Sequence, residues 1–151
     1  MQYLHQLGCI SILPKLAHEV IVSFAVQKEL QAGVALGLDL PDLSLLSWVK
    51  LKQPISFHSL PLASGLGHGE SAVLALALES ASPVVILDDG LGRQAAELLK
   101  IPLTGTLGIL LDAKKKGIIS TIEPLLNKLD SLRFRVSPKT RVAVLKMAGE
   151  V

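Results

Sequence analysis

Four acidic side chains and one arginine carry the first chemical signal in this chain. Asp88 and Asp89 directly follow the apolar run Val84-Val85-Ile86-Leu87, and in a parallel sheet ligands collect at the carboxyl ends of the strands. Two adjacent carboxylates repel each other unless a cation or a basic group offsets them, and Arg93 follows within the next turn. Glu70 comes after Gly67-His68-Gly69 and opens an Ala/Leu-rich segment that leads into the same run. Eighteen residues separate Glu70 from Asp88, a length that about 11 to 12 helical residues, a turn and a short strand would use. A helix antiparallel to the strand after it starts near the rim where that strand ends. Glu70 is therefore expected to converge with Asp88 and Asp89 within reach of a shared ion. Carboxylates gathered without a Cys or His set make a hard-oxygen site, suited to magnesium or manganese rather than zinc. Such a site assists phosphodiester hydrolysis by activating water and neutralising charge on the phosphate.

Plainer roles compete with these. One of the two aspartates would serve well as the cap of the helix that carries Arg93, and Glu70 as a first-turn carboxylate facing a helix dipole. Glu29, in Val26-Gln27-Lys28-Glu29-Leu30, reads on its own as a surface helix residue. Gly90-Leu91-Gly92-Arg93-Gln94-Ala95 fits a short dinucleotide fingerprint, but the neighbouring aspartates would repel a pyrophosphate. The segment through Asp89 also looks like the opening of a receiver domain, yet the 62 residues that follow are too few to complete one. No phosphate loop, nucleophile elbow or HExxH pair is present, and His5, His18, His58 and His68 share no ligand spacing.

The elements that must position these residues alternate between strand and helix. From Tyr3 to Leu16 apolar residues recur every third position, with Gly8 and Pro14 dividing the segment into two short helices. Val20 to Val22 reads as a strand, and Phe24 to Gln31 as a helix capped by Ser23 and closed by Gly33. Residues 34 to 67 are irregular apart from Trp48 to Lys52, which alternates as a half-buried edge strand does. Then follow a helix over Glu70 to Ser80, a strand over Val84 to Leu87, a helix over Arg93 to Leu99, a strand over Ile101 to Thr104, and a helix over Thr106 to Lys116 with Gly117 behind it. Ser120-Thr121-Ile122-Glu123 has a capping-box pattern, and Ser137-Pro138 and Gly149 bracket a final helix. The class is α/β with a mostly parallel sheet.

At 151 residues, with half of them hydrophobic and a mean hydropathy of +0.51, the chain is long enough for one core and is expected to form a single domain over residues 1–151. Aromatic residues make up 3%, too few for the stacking platforms of single-strand binders. The single cysteine, Cys9, excludes an internal disulfide and Cys-rich zinc folds. Charges break every apolar run short of the ~18 residues that would suggest a membrane span, so a soluble chain in a reducing cytoplasm is expected, with no membrane partner. The net charge of +2 hides an asymmetry. Residues 1–113 hold six Lys/Arg against ten Asp/Glu, and residues 114–151 hold nine against three. Lys114, Lys115 and Lys116, with Lys128, Arg133, Arg135, Lys139 and Arg141, could contact a phosphate backbone or simply form solvated helix ends.

Several spaced motifs in order give a family likeness. Gly69-Glu70 opening an Ala/Leu helix, Val85-Ile86-Leu87-Asp88-Asp89 with Arg93 and Ala96, Thr104-Gly105-Thr106-Leu107-Gly108, the run to Lys114-Lys115-Lys116-Gly117, and Lys146-Met147-Ala148-Gly149-Glu150 together resemble the PIN-domain branch described as VapC-like or as an uncharacterised PIN-like family of prokaryotes. The likeness covers nearly the whole chain. It implies a three-layer α/β/α fold and a metal-dependent ribonuclease, often the toxin of a toxin-antitoxin pair, with RNA as substrate, an antitoxin protein as partner and a possible homodimer. Carried over, the acidic pattern falls on Glu29, on Glu70 and on Asp88 or Asp89, with Mg2+ or Mn2+ held by Glu70, Asp88 and Asp89. Arg93, Lys114, Lys115 and Lys116 are the expected RNA contacts, and Thr104 and Thr106 the expected lining. The family pattern begins with a strand ending in Asp, and the matching region here starts after it. The expectation is therefore a truncated first strand, arising from an upstream start or from a remnant. The second reading that follows is a catalytically inactive PIN-like protein-binding module.

Overall fold

The structure, a computed structural model, describes residues 1–55 and 65–150. Residues 56–64, the part of the irregular stretch that holds His58 and Pro61, lie outside the described residues. The chain divides into two compact units, Met1–His18 with Thr106–Val151, and Glu19–Gly105.

The Glu19–Gly105 unit carries the acidic residues. Its order is β1 (Val20–Ser23), α3 (Phe24–Ala35), β2 (Val49–Lys52), α4 (His68–Leu78), β3 (Val85–Ile86), α5 (Gly90–Leu98) and β4 (Leu103–Thr104), numbering helices after two short ones in the other unit. β1 pairs with β2 in parallel from Val20↔Val49 to Ser23↔Lys52, and β3 pairs with β4 in parallel through Val85↔Leu103 and Ile86↔Thr104. The expected parallel pairing is present, as two two-stranded sheets. β2 alternates half-buried and exposed residues, as its sequence implies. α4 is apolar nearly all round, with Ala72, Leu74, Ala75, Leu76 and Ala77 buried, so it runs through the interior of this unit. Leu74, Ala75 and Ala77 pack with Val85, Leu87, Ala95, Ala96 and Ile101 into an aliphatic cluster that seats β3 against α4 and α5.

Ser23 caps α3 as expected, accepting from the Val26 amide at 3.1 Å. The helix does not close at Gly33. It continues to Ala35, and Gly37, at φ +87°, sits beyond its end. Gly33 is buried inside the helix because Leu40 folds back onto it: a Cβ there would overlap Leu40 Cδ1. Packing, not helix termination, accounts for that glycine.

The other unit is helical. α1 (Gln2–Gln6), a 3-10 turn over Ile10–Ile12 and α2 (Leu13–Leu16) match the division expected at Gly8, which adopts φ +74°. α6 (Thr106–Lys115), α7 (Glu123–Ser131) and α8 (Pro138–Met147) follow. Leu4, Leu110, Ile122, Leu126 and Leu129 are almost wholly buried. Ser137 caps α8 through the Thr140 amide at 3.1 Å, and Gly117 and Gly149 take the left-handed conformation expected behind α6 and α8. The capping box expected at Ser120 does not form. α7 starts later, at Glu123, and no local side chain caps it. Instead the Glu150 carboxylate accepts from the amides of Ile122 at 2.8 Å and Glu123 at 3.1 Å.

Candidate functional site

The acidic residues gather at two helix N-termini of the Glu19–Gly105 unit. The four unpaired amides of a helix start attract acceptors, and the N-cap residue usually supplies one from its side chain. At α4 the cap is Gly67, which has no side chain to give. Two glutamates supply acceptors instead. Glu70 Oε2 reaches back to the Gly67 amide at 2.9 Å, and Glu29 Oε1, projecting from α3, accepts from the Gly69 amide at 3.1 Å. A Cβ on Gly69 would lie 2.5 Å from Glu29 Oε2, so the absence of a side chain there is what lets the carboxylate approach.

The second helix start is α5. Asp89 caps it, with Oδ2 accepting from the Gly92 amide at 3.0 Å. Gly92 also lets two groups close in: a Cβ there would lie 3.5 Å from both Leu87 methyls and 3.7 Å from Glu70 Cγ. Glu70 thus stands beside the first turn of α5, the helix that Asp89 caps. Asp88 is exposed at the end of β3. Its Oδ1 and Arg93 Nη1 both flank Gly105, at 2.7 and 2.9 Å from where a Cβ would sit. Arg93 Nη1 donates to the Leu87 carbonyl at 2.8 Å, which ties the guanidinium to the strand end and leaves its other donors for an incoming anion. Thr104 ends β4 half-buried.

The remaining candidates lie in the other unit. Thr106 is buried in the first turn of α6. Lys114 is committed: its ammonium donates to the Ser120 carbonyl at 2.7 Å and pairs with Glu150 at 3.3 Å. Lys115 and Lys116 are exposed.

Four oxygen-bearing side chains with no sulfur suit a hard divalent ion in type. Their arrangement does not suit one ion held by several of them. Glu29, Glu70 and Asp89 each place an oxygen on a backbone amide, and among the described residues no group of three or more His, Cys, Asp or Glu could hold a metal ion.

The strands are parallel, helices alternate with them, and the acidic residues sit at the helix starts after them, which is the mixed α/β class of a PIN domain. The chain belongs to the DUF3368 family, a PIN domain, whose profile matches residues 1–150. No curated protein and no solved structure matches it. Nuclease-type function is what membership of this family indicates in general. No helix among the described residues is long and apolar enough to cross a membrane.

Proposed function

We propose that this PIN domain is a ribonuclease, the toxin partner of an antitoxin protein, and that its chemistry centres on Glu70, Asp88 and Asp89 with Glu29 in support. The observation that carries the reading is the convergence of Glu29, Glu70 and Asp89 on the adjoining starts of α4 and α5, from segments as far as 40 residues apart. Family membership supports the nuclease part of the reading. Arg93 is placed to steady a phosphate with the guanidinium donors that Leu87 does not use, and Asp88, exposed at the strand end, to orient a water or a ribose hydroxyl. Dependence on Mg2+ or Mn2+ belongs to this reading. It requires carboxylates that now bond amides to turn towards an ion.

A second reading has its own observation. Because each of these three carboxylates already satisfies a backbone donor, the acidic set also makes sense as helix capping in a catalytically inactive binding module.

Glu70→Gln separates the two. The amide oxygen of glutamine still accepts from Gly67, so the fold is retained, but the charge is gone. The nuclease reading expects Mn2+-dependent cleavage of a long RNA, abolished by chelation and reduced at least about 100-fold in Glu70→Gln and in Asp88→Asn. A folded chain that binds no Mn2+ and cuts no RNA, with both variants indistinguishable from it, would leave the binding module.

A further inference from the structure

The two units carry opposite charge. Glu19–Gly105 holds five Lys/Arg against nine Asp/Glu, whereas Met1–His18 with Thr106–Val151 holds ten against four. Within the basic unit, the connection from α7 to α8 concentrates the charge on a fixed support. The end of α7 is closed by hydrogen bonds from the Arg133 amide to Asp130 at 3.1 Å and from the Phe134 amide to Leu129 at 3.0 Å. Phe134 is half-buried and meets the Tyr3 ring edge to face, with centroids 4.7 Å apart. Arg141 ties α8 back to α7, donating to Asn127 at 2.6 Å and to Asp130 at 3.5 Å. A connection held at three points therefore presents Arg133 and Arg135 on either side of the Phe134 anchor, with Lys139 in the first turn of α8.

All three are exposed, and none is ion-paired among the described residues. Arg133 also adopts φ +65°, a conformation that glycine or asparagine takes more readily at a helix end. Attraction to the helix dipole favours a cation there, but a lysine or arginine one residue away would supply that without the strained backbone. No large hydrophobic between Arg133 and Lys139 is exposed, so the surface lacks the apolar centre that a protein partner's interface uses. It has what a sugar-phosphate backbone needs: preset cations, with the carboxylate of Asp130 drawn to Arg141.

We propose that Arg133, Arg135 and Lys139 form a phosphate-binding edge that holds RNA by its backbone, without reading its sequence. This deepens the ribonuclease reading by naming where the substrate is held, and rests on it only for the choice of RNA. The test is fluorescence anisotropy of a labelled oligouridylate with the full chain, in EDTA so that cleavage plays no part, across a series of salt concentrations. Neutralising all three residues (R133Q, R135Q, K139Q) is expected to flatten the slope of log K against log salt by about 2, at ~0.7 for each single-strand phosphate left without its cation. Lys115→Gln with Lys116→Gln, in the same unit, is expected to change it little. Equal flattening per charge in the two sets would overturn the proposal in favour of diffuse attraction. An unchanged slope in the triple variant would overturn it outright, as would equally tight binding of an oligoglutamate, which would mark an acidic protein as the partner. An edge that binds RNA in a chain that never cleaves it would sink the nuclease reading alone, and cleavage with an unchanged slope would sink the edge alone.

Discussion

Glu29 sits on the exposed side of α3, yet one of its oxygens does the work that the side chain of residue 67 would ordinarily do for α4. The arrangement depends on the bare backbone of Gly69. Alanine there would displace the carboxylate, while improving helix propensity by up to about 1 kcal/mol. Gly69→Ala is thus expected to leave stability within about 1 kcal/mol of the original while cutting the link to Glu29. In a double-mutant cycle followed by urea unfolding, Glu29→Ala should cost roughly 0.5–1.5 kcal/mol in the original chain and almost nothing beside Gly69→Ala. How much of the site the sequence revealed tracks the range of each bond. Asp89 accepts from an amide three residues on, a cap legible as a local signal, whereas Arg93, expected to offset the aspartates, donates to the Leu87 carbonyl six residues back. Glu29 meets an amide 40 residues on, and no spacing rule reaches that far; only the family resemblance singled it out. The tie of Lys114 to Glu150 was hidden for the same reason, because that carboxylate lies 36 residues downstream.

At the level of elements, helix starts were read well where a serine caps its own helix and poorly where tertiary contacts take over. Ser23 and Ser137 fixed α3 and α8. Ser120 suggested a start for α7 that the structure moves to Glu123, because Glu150 offers the amides of Ile122 and Glu123 a better acceptor than a nearby hydroxyl. Gly33 misplaced the end of α3 because a glycine beneath a packed leucine looks the same in sequence as a glycine in a C-cap. The junction of α7 and α8 gives an expectation of a different kind. Arg133→Gly removes a side chain from a left-handed position, and thermal melting should show stability unchanged or raised by up to about 1 kcal/mol. The same variant should bind RNA more weakly. An arginine kept at the expense of stability and lost at the expense of binding is the pattern expected of a residue retained for contact.

Across the whole molecule, the family and the α/β class were readable because many weak local signals agreed over 150 residues. The division into two units was not, since it depends on the first 18 residues returning to the helices after Thr106. Stability should respond to acid through two carboxylates in particular. Lys50, by hydrogen bond and by charge, and then Lys52 hold the Glu19 carboxyl below its ordinary value. Partial burial works against ionisation of Glu150, but the amides of Ile122 and Glu123 and the Lys114 ammonium outweigh it and keep its carboxyl low as well. Carboxylates held low when folded bind fewer protons than in the unfolded chain. Their stabilisation is complete above the usual glutamate range and is lost as the pH falls through their depressed values. Urea midpoints measured from pH 7 down to pH 3 should decline. Glu150→Gln should lower the thermal midpoint at pH 7 by roughly 2–8 °C and flatten that decline.

The Glu150 clasp also has a consequence in time. On the ribosome, Ile122 and Glu123 emerge well before the carboxylate that receives their hydrogens, so the start of α7 has no acceptor until 27 more residues have been made and α8 has folded back. α7 is therefore a late-maturing helix, complete only when the segment behind it arrives. In native-state hydrogen exchange the two amides should open together with α8, reporting the docking of one helix from the first turn of another.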